Sequence, residues 1–110
     1  MKKTYRVRKN EEFTRIIGER HSVASANFVV YFSLKKEKNC RVGISVSKKL
    51  GNAVERNKIK RQMREMAKAL INFESSKYDY IIIARVPYIN HGYHENINDL
   101  EKLLKKAIIV

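Results

Sequence analysis

Two runs of sequence decide the fold: RVGISVS at residues 41–47 and YIIIARV at residues 80–86. In the first run apolar and small or polar side chains alternate, which predicts an antiparallel strand with one face against a core. The second run is apolar almost throughout and ends at Pro87, which predicts a central strand buried on both faces. Between them, residues 56–72 carry apolar side chains at helical spacing: Ile59, Met63, Met66 and Leu70. These patterns together predict that a helical crossover leads to the central strand.

The flanking segments complete the predicted order of elements. Residues 27–34 are β-branched and aromatic and predict a strand, and the polar residues 35–39 predict a hairpin loop to the next strand. A short helix is predicted to begin at Asn10, whose side chain would cap it, and to stop at Gly18. Helical spacing from about Asn96 onward predicts a last helix with these apolar residues: Ile97, Leu100, Leu103, Leu104, Ala107 and Ile108. The order α-β-β-α-β-α predicts an α/β (α+β) two-layer sandwich around a mixed sheet.

Length, charge and composition limit the possible functions. The chain has 110 residues, with 24 Lys or Arg against 11 Asp or Glu, and a formal net charge of +13. This size predicts a single domain, residues 1–110, in which the basic residues 1–9 form an extended arm. Cys40 is the one cysteine, which excludes an internal disulfide framework and favours a reducing, cytoplasmic location. Since no apolar run is long enough for a membrane span, we expect a soluble protein with a polyanionic partner.

The stretch from Gly51 to Glu65 has the strongest functional signal. At about 100° per residue, five polar side chains lie on the helix side opposite Ile59 and Met63. They are Asn57, Lys60, Arg61, Arg64 and Lys68. A solvated helix face is the alternative interpretation, but almost no acidic residues are interleaved to neutralise these charges. Because arginine binds phosphate with two hydrogen bonds, the pattern favours nucleic acid as the partner.

A second surface could be formed by apolar and aromatic residues: Phe13, Ile17, Val29 and Tyr31. Single-stranded RNA commonly stacks its bases on surfaces of this kind. Docking of the first helix onto the sheet also accounts for Phe13 and Ile17, and the residues by themselves favour docking.

Signs of an autonomous enzyme are weak. The sequence has no Gly-rich phosphate loop, nucleophile elbow or HExxH motif, and its acidic residues are scattered. His91 and His94 have a spacing that can hold metal, but no cluster of further ligands adjoins them. Cys40 is predicted to be a small apolar filler. We therefore predict no catalytic residue, no metal ligand and no cofactor bound by this chain alone.

The central motif resembles the signature of the bacterial ribonuclease P protein subunit. The resemblance rests on RVGISVSKK at 41–49, GNAV at 51–54 and RNxxKRxxRE at 56–65, with NEEF at 10–13 and DYIIIAR at 79–85 in the same order. It implies a fold like domain 2 of ribosomal protein S5, with a left-handed β-α-β crossover. General rules of chain topology favour a right-handed crossover, so the handedness follows from the resemblance alone.

The resemblance also implies a function. Proteins of this family join a catalytic RNA that uses Mg²⁺ to cleave the 5′ leader from precursor tRNA, and the protein itself is non-catalytic. The implied partners are the RNA subunit, bound 1:1, and the precursor tRNA leader. The residues implied to face the RNA subunit are Arg56, Asn57, Lys60, Arg61 and Arg64, and we add Lys68 from its place on the same side of the helix. The residues implied to line the leader cleft are Phe13, Ile17, Val29 and Tyr31, with Lys49 at its basic rim.

Two residues depart from the family pattern. Ile17 stands where the family often has an aromatic residue, which would remove base stacking at that position. Glu55 adds an acid before the motif, which would either weaken RNA contact slightly or cap the helix. A ribosomal or other structural RNA-binding protein is the main alternative, and a stand-alone nuclease is a third. The intact spacing from Arg56 to Glu65 favours the ribonuclease P subunit.

Overall fold

The computed structural model describes the backbone of residues 1–109 and the side chains of residues 1–107, so Val110 and the predicted packing of Ile108 lie outside the described residues. The helices are α1 (Asn10–Gly18), α2 (Ala53–Leu70) and α3 (Tyr93–Ile109). The strands are β1 (Ser22–Ala24), β2 (Phe28–Leu34), β3 (Val42–Val46) and β4 (Tyr78–Ala84). Short 3-10 helices occupy Lys3–Tyr5, Lys48–Leu50 and Val86–Asn90. Within residues 1–109 no helix is both long and apolar enough to cross a bilayer.

The four strands form one mixed sheet in the order β1-β2-β4-β3. The central strand β4 pairs antiparallel with β2 and parallel with β3. The β3-α2-β4 segment is therefore the predicted crossover, and the α+β fold class with helices against a mixed sheet is confirmed. The left-handed sense of the crossover stays a prediction.

The predicted hairpin between the second and third strands is wrong. β4 lies between β2 and β3, and β3 runs parallel to it, with Val42 opposite Tyr80. Alternation in the sequence shows that one side of β3 faces a core, but it does not identify the neighbouring strand. β4 presents apolar side chains on both faces, so the lowest-energy place for it is the centre of the sheet.

Residues 1–9 do not form the predicted extended arm. The Tyr5 ring stacks on Phe73 with 4.5 Å between ring centroids, and Val7 is only 5% exposed. The Val7 N–H donates to the Val42 carbonyl at 3.1 Å, which closes the outer edge of β3 at that residue. A single valine in a basic run has no periodicity, so the sequence does not reveal this packing.

Helix boundaries also differ from the predictions. Asn10 is the first residue of α1, and the capping residue is Lys9, which makes no side-chain hydrogen bond. Gly18 is the last helical residue, and Arg20, two residues later, takes the left-handed conformation with φ of 60°. α3 begins at Tyr93, before the predicted start at Asn96.

Each face of the sheet has its own apolar cluster. The larger cluster lies between the sheet and helices α2 and α3, and it includes Phe28, Val30, Met63, Tyr80, Ile82 and Leu100. The smaller lies under α1, which covers only part of the opposite face. Its buried members are Val7, Ile16 and Ile81.

Candidate nucleic-acid interface

The six residues predicted to face RNA all lie on α2, and none of them is among the residues that this helix buries. The buried residues of this helix are Ile59, Met63, Met66 and Ala67. The exposed residues of the predicted set are Asn57, Arg61 and Lys68. The half-buried residues of the set are Arg56, Lys60 and Arg64. We call these six residues the cationic face.

The cationic face has unused hydrogen-bonding capacity. Across residues 1–109, no ion pair joins a carboxylate to any of its cations. The Nε atom of Arg56 is buried and has no hydrogen-bond partner among the described residues. Five positive charges on one rigid helix repel one another, so an anionic partner would stabilise this arrangement.

The start of α2 is fixed by a reciprocal cap. The Asn52 side-chain oxygen accepts from the Glu55 N–H at 2.9 Å, and the Glu55 carboxylate accepts from the Asn52 N–H at 3.0 Å. Of the two roles considered for Glu55, the structure therefore shows capping. Gly51, with φ of 141°, lies in a region of backbone conformation that is essentially restricted to glycine. The cap explains why α2 begins at Ala53, three residues before the predicted start.

The predicted leader residues lie on the opposite face of the sheet, beside α1. Phe13, Ile17 and Tyr31 are half-buried and pack against the small cluster under α1, as does Ile83. Val29 is half-buried and pairs directly with Ile83 in the sheet. Phe13 and Ile17 therefore dock α1 and still present part of their surface to solvent.

Two residues of this surface were not among the predicted ones. Ile83 lies between Val29 of β2 and Ser45 of β3, and both Ile83 and Ser45 are partly exposed. The period-2 alternation of β4 could have identified Ile83, because it shares a face with Ile81. We call the surface formed by these residues the cleft: Phe13, Ile17, Val29, Tyr31, Ser45 and Ile83.

Lys49, predicted at the rim of the cleft, lies just beyond the end of β3. It is exposed and belongs to the 3-10 helix Lys48–Leu50, which begins after the single residue Ser47. Ser45 is the last residue of β3 that faces the cleft, so the short connection brings Lys49 to that end of the sheet.

The described side chains do not form a metal site or an activated cysteine. Among residues 1–109 no group of three His, Cys, Asp or Glu side chains is placed to hold a metal ion. His91 contacts the Pro87 carbonyl oxygen through Nδ1 at 2.8 Å. Cys40 is fully buried in the larger cluster, as predicted, and burial raises the pKa of its thiol to about 12. At neutral pH it is therefore a packing residue with almost no thiolate.

Comparison with known proteins decides the family. The family model described as Ribonuclease P matches residues 1–108. The chain belongs to the ribonuclease P protein family. The ribonuclease P protein component of an Exiguobacterium species is 48% identical to it over 107 residues, covering 97% of this chain and 93% of the relative.

Solved structures of ribonuclease P proteins share the fold. The Staphylococcus aureus RNase P protein has 48% sequence identity and a TM-score of 0.81, with 94% of each chain covered. The Thermotoga maritima RNase P protein has 30% identity and a TM-score of 0.77, covering 92% of this chain and 96% of the other. The resemblance drawn from the sequence is thus confirmed. Membership of the family implies a protein component of ribonuclease P, a ribonucleoprotein of tRNA processing, with an RNA subunit as its partner.

Proposed function

We propose that this ribonuclease P protein binds the catalytic RNA subunit through the cationic face of α2. The observation that carries the proposal is that face itself, on which no described carboxylate neutralises the five cations. The capped, well-packed helix fixes the backbone from which these side chains project, so the helix itself does not have to become ordered when RNA binds. Arg56, Arg61 and Arg64 supply planar guanidinium groups suited to phosphate oxygens.

The cleft is the proposed site for the 5′ leader of precursor tRNA. A leader is single-stranded, so its bases are available to stack on Phe13 and Tyr31, each such contact contributing about 1–3 kcal/mol. Ile17 offers apolar contact without an aromatic face, and Lys49 offers a cation for the leader backbone. The sheet floor at Val29 and Ile83 gives an apolar base to the site.

We assign the hydrolysis of the leader to the RNA subunit, with Mg²⁺ held by RNA. The protein's described carboxylates do not provide a ligand set for such an ion. The protein's part is to position the leader and to reduce repulsion between two polyanions with its net charge of +13. We expect a 1:1 complex with the RNA subunit, located in the cytoplasm.

The leader proposal is tested by comparing two substrates. A bacterial ribonuclease P RNA is assembled with and without this protein, and its affinity is measured for precursor tRNA and for the same tRNA without a leader. The protein is expected to improve precursor affinity about tenfold more than mature tRNA affinity, as one or two stacked bases would do. An equal improvement for both substrates would contradict leader binding in the cleft.

A further inference from the structure

A buried network of charges lies under α1. The Asp79 side chain is fully buried, on the face of β4 that α1 covers. Its Oδ1 accepts from the Arg41 backbone N–H at 2.8 Å, and its Oδ2 accepts from Arg15 Nη2 at 3.5 Å. Arg15 also donates to the Ser33 hydroxyl at 3.2 Å, and Arg41 donates to the Glu12 carboxylate at 2.7 Å. We call these five residues the Asp79 network.

Burial of the Asp79 carboxylate opposes folding unless the rest of the network compensates for it. An ionised carboxylate without water is strongly disfavoured unless cations and donors surround it. Asp79 meets that condition only while Arg15 of α1 and Arg41 stay beside it, since Arg41 Nη2 lies 3.7 Å from the same oxygen. The position of α1 is therefore coupled to the charge at Asp79.

The two sides of α1 have different tasks. At about 100° per residue, Glu12 and Arg15 fall on the side of the network, while Phe13 and Ile17 fall on the side of the cleft. Ile16, between the two sides, is fully buried against the sheet. Loss of the ion pair between Arg15 and Asp79 would shift α1 and move Phe13 and Ile17 with it.

We propose that Asp79 is a positioning residue for the leader cleft. By holding Arg15 directly and Glu12 through Arg41, it fixes α1 over the sheet and so fixes the positions of Phe13 and Ile17 in the cleft. Asp79 is buried and does not touch the leader. This inference rests on the proposed binding of the leader in the cleft.

Two variants test the proposal in the assembled holoenzyme. Asp79→Asn keeps the size of the side chain and removes its charge, and Arg15→Gln removes the bond from the α1 side. The control is Glu101→Gln, which makes the same charge change on an exposed residue of α3. The readouts are the affinity for the RNA subunit and the ratio of precursor to mature tRNA affinity. We expect that ratio to fall about two- to tenfold in both variants, the upper value being loss of the whole leader-dependent gain, with RNA-subunit affinity and the control unchanged.

The double variant Asp79→Asn with Arg15→Gln tests whether the two residues act together on the cleft. Because both residues act through one ion pair, the double variant is expected to lose little more than either single variant. If Asp79→Asn fails to fold by circular dichroism, Arg15→Gln decides, since Asp79 then keeps its contacts with Arg41.

The possible results distinguish failure of the proposed leader binding from failure of the proposed role of Asp79. A wild-type protein that shows no leader-dependent gain would overturn the proposed function. A wild-type gain that both variants retain would overturn the role of Asp79. Equal loss of RNA-subunit and precursor affinity would show a merely structural role and would also overturn it.

Discussion

Reversing two charges on the cationic face, in the double variant Lys60→Glu with Arg61→Glu, is expected to weaken binding of the RNA subunit about 100-fold or more. Hydrogen bonds to charged groups contribute about 1.5–3 kcal/mol each, and the variant replaces two such donors with repelling carboxylates. Neither side chain belongs to the buried stripe of α2, so the fold should persist. The salt dependence should also fall, because each lost phosphate contact removes about 0.7–0.9 from the log–log slope.

The measurement is a binding titration against a bacterial ribonuclease P RNA at several salt concentrations. The control is Lys102→Glu with Lys105→Glu, which changes the net charge equally at two exposed positions of α3. This control is expected to weaken binding far less. Equal weakening in both double variants would mean that total charge, and not the cationic face, determines affinity.

A methyl group added at Gly43 is expected to lower the free energy of unfolding by about 1–3 kcal/mol, the usual range for an overpacked core. A Cβ atom at this position would lie 2.7 Å from Phe13 Cζ and 2.7 Å from Ile81 Cδ1. Gly43 thus admits the Phe13 ring onto the sheet. Gly43→Ala should also displace that ring and reduce the leader-dependent part of tRNA affinity.

Gly18→Ala provides a matched control for this substitution. Nothing lies within 4 Å of a Cβ atom built at Gly18, which is the last residue of α1. Alanine there is expected to be neutral or to stabilise by up to about 1 kcal/mol. Urea unfolding of both variants checks the pair, and a Gly43→Ala protein as stable as wild type would contradict the close packing of Phe13 on Gly43.

The elements of the fold could be predicted where a pattern of apolar residues extends over many positions. The alternation in β3, the apolar run of β4 and the helical stripe of α2 each extend over enough residues to identify the element. Strand neighbours could not be predicted, because alternation in β3 would look the same beside β2 as beside β4. Strand β1, with the three residues Ser22, Val23 and Ala24, is too short and too polar to be recognised.

The functional residues also differ in whether the sequence could predict that they lie together. The cationic face lies within one helix, so spacing alone brings its residues together. The Asp79 network joins residues as far apart as Arg15 and Asp79, 64 positions along the chain. In the sequence these look like scattered charges, and only the pairing of β3 with β4 brings Arg41 beside Asp79.

The role of this protein as a ribonuclease P subunit is tested by cleavage of a precursor tRNA at low Mg²⁺ by a bacterial ribonuclease P RNA, with and without the protein. We expect the protein to restore cleavage at the mature 5′ end and to cleave nothing in the absence of the RNA. If the RNA gains no activity although the protein binds it tightly, the protein has no part in leader cleavage and its role is structural RNA binding. Cleavage of the leader by the protein alone would equally contradict its role as a non-catalytic subunit, because the catalysis would then reside in the protein.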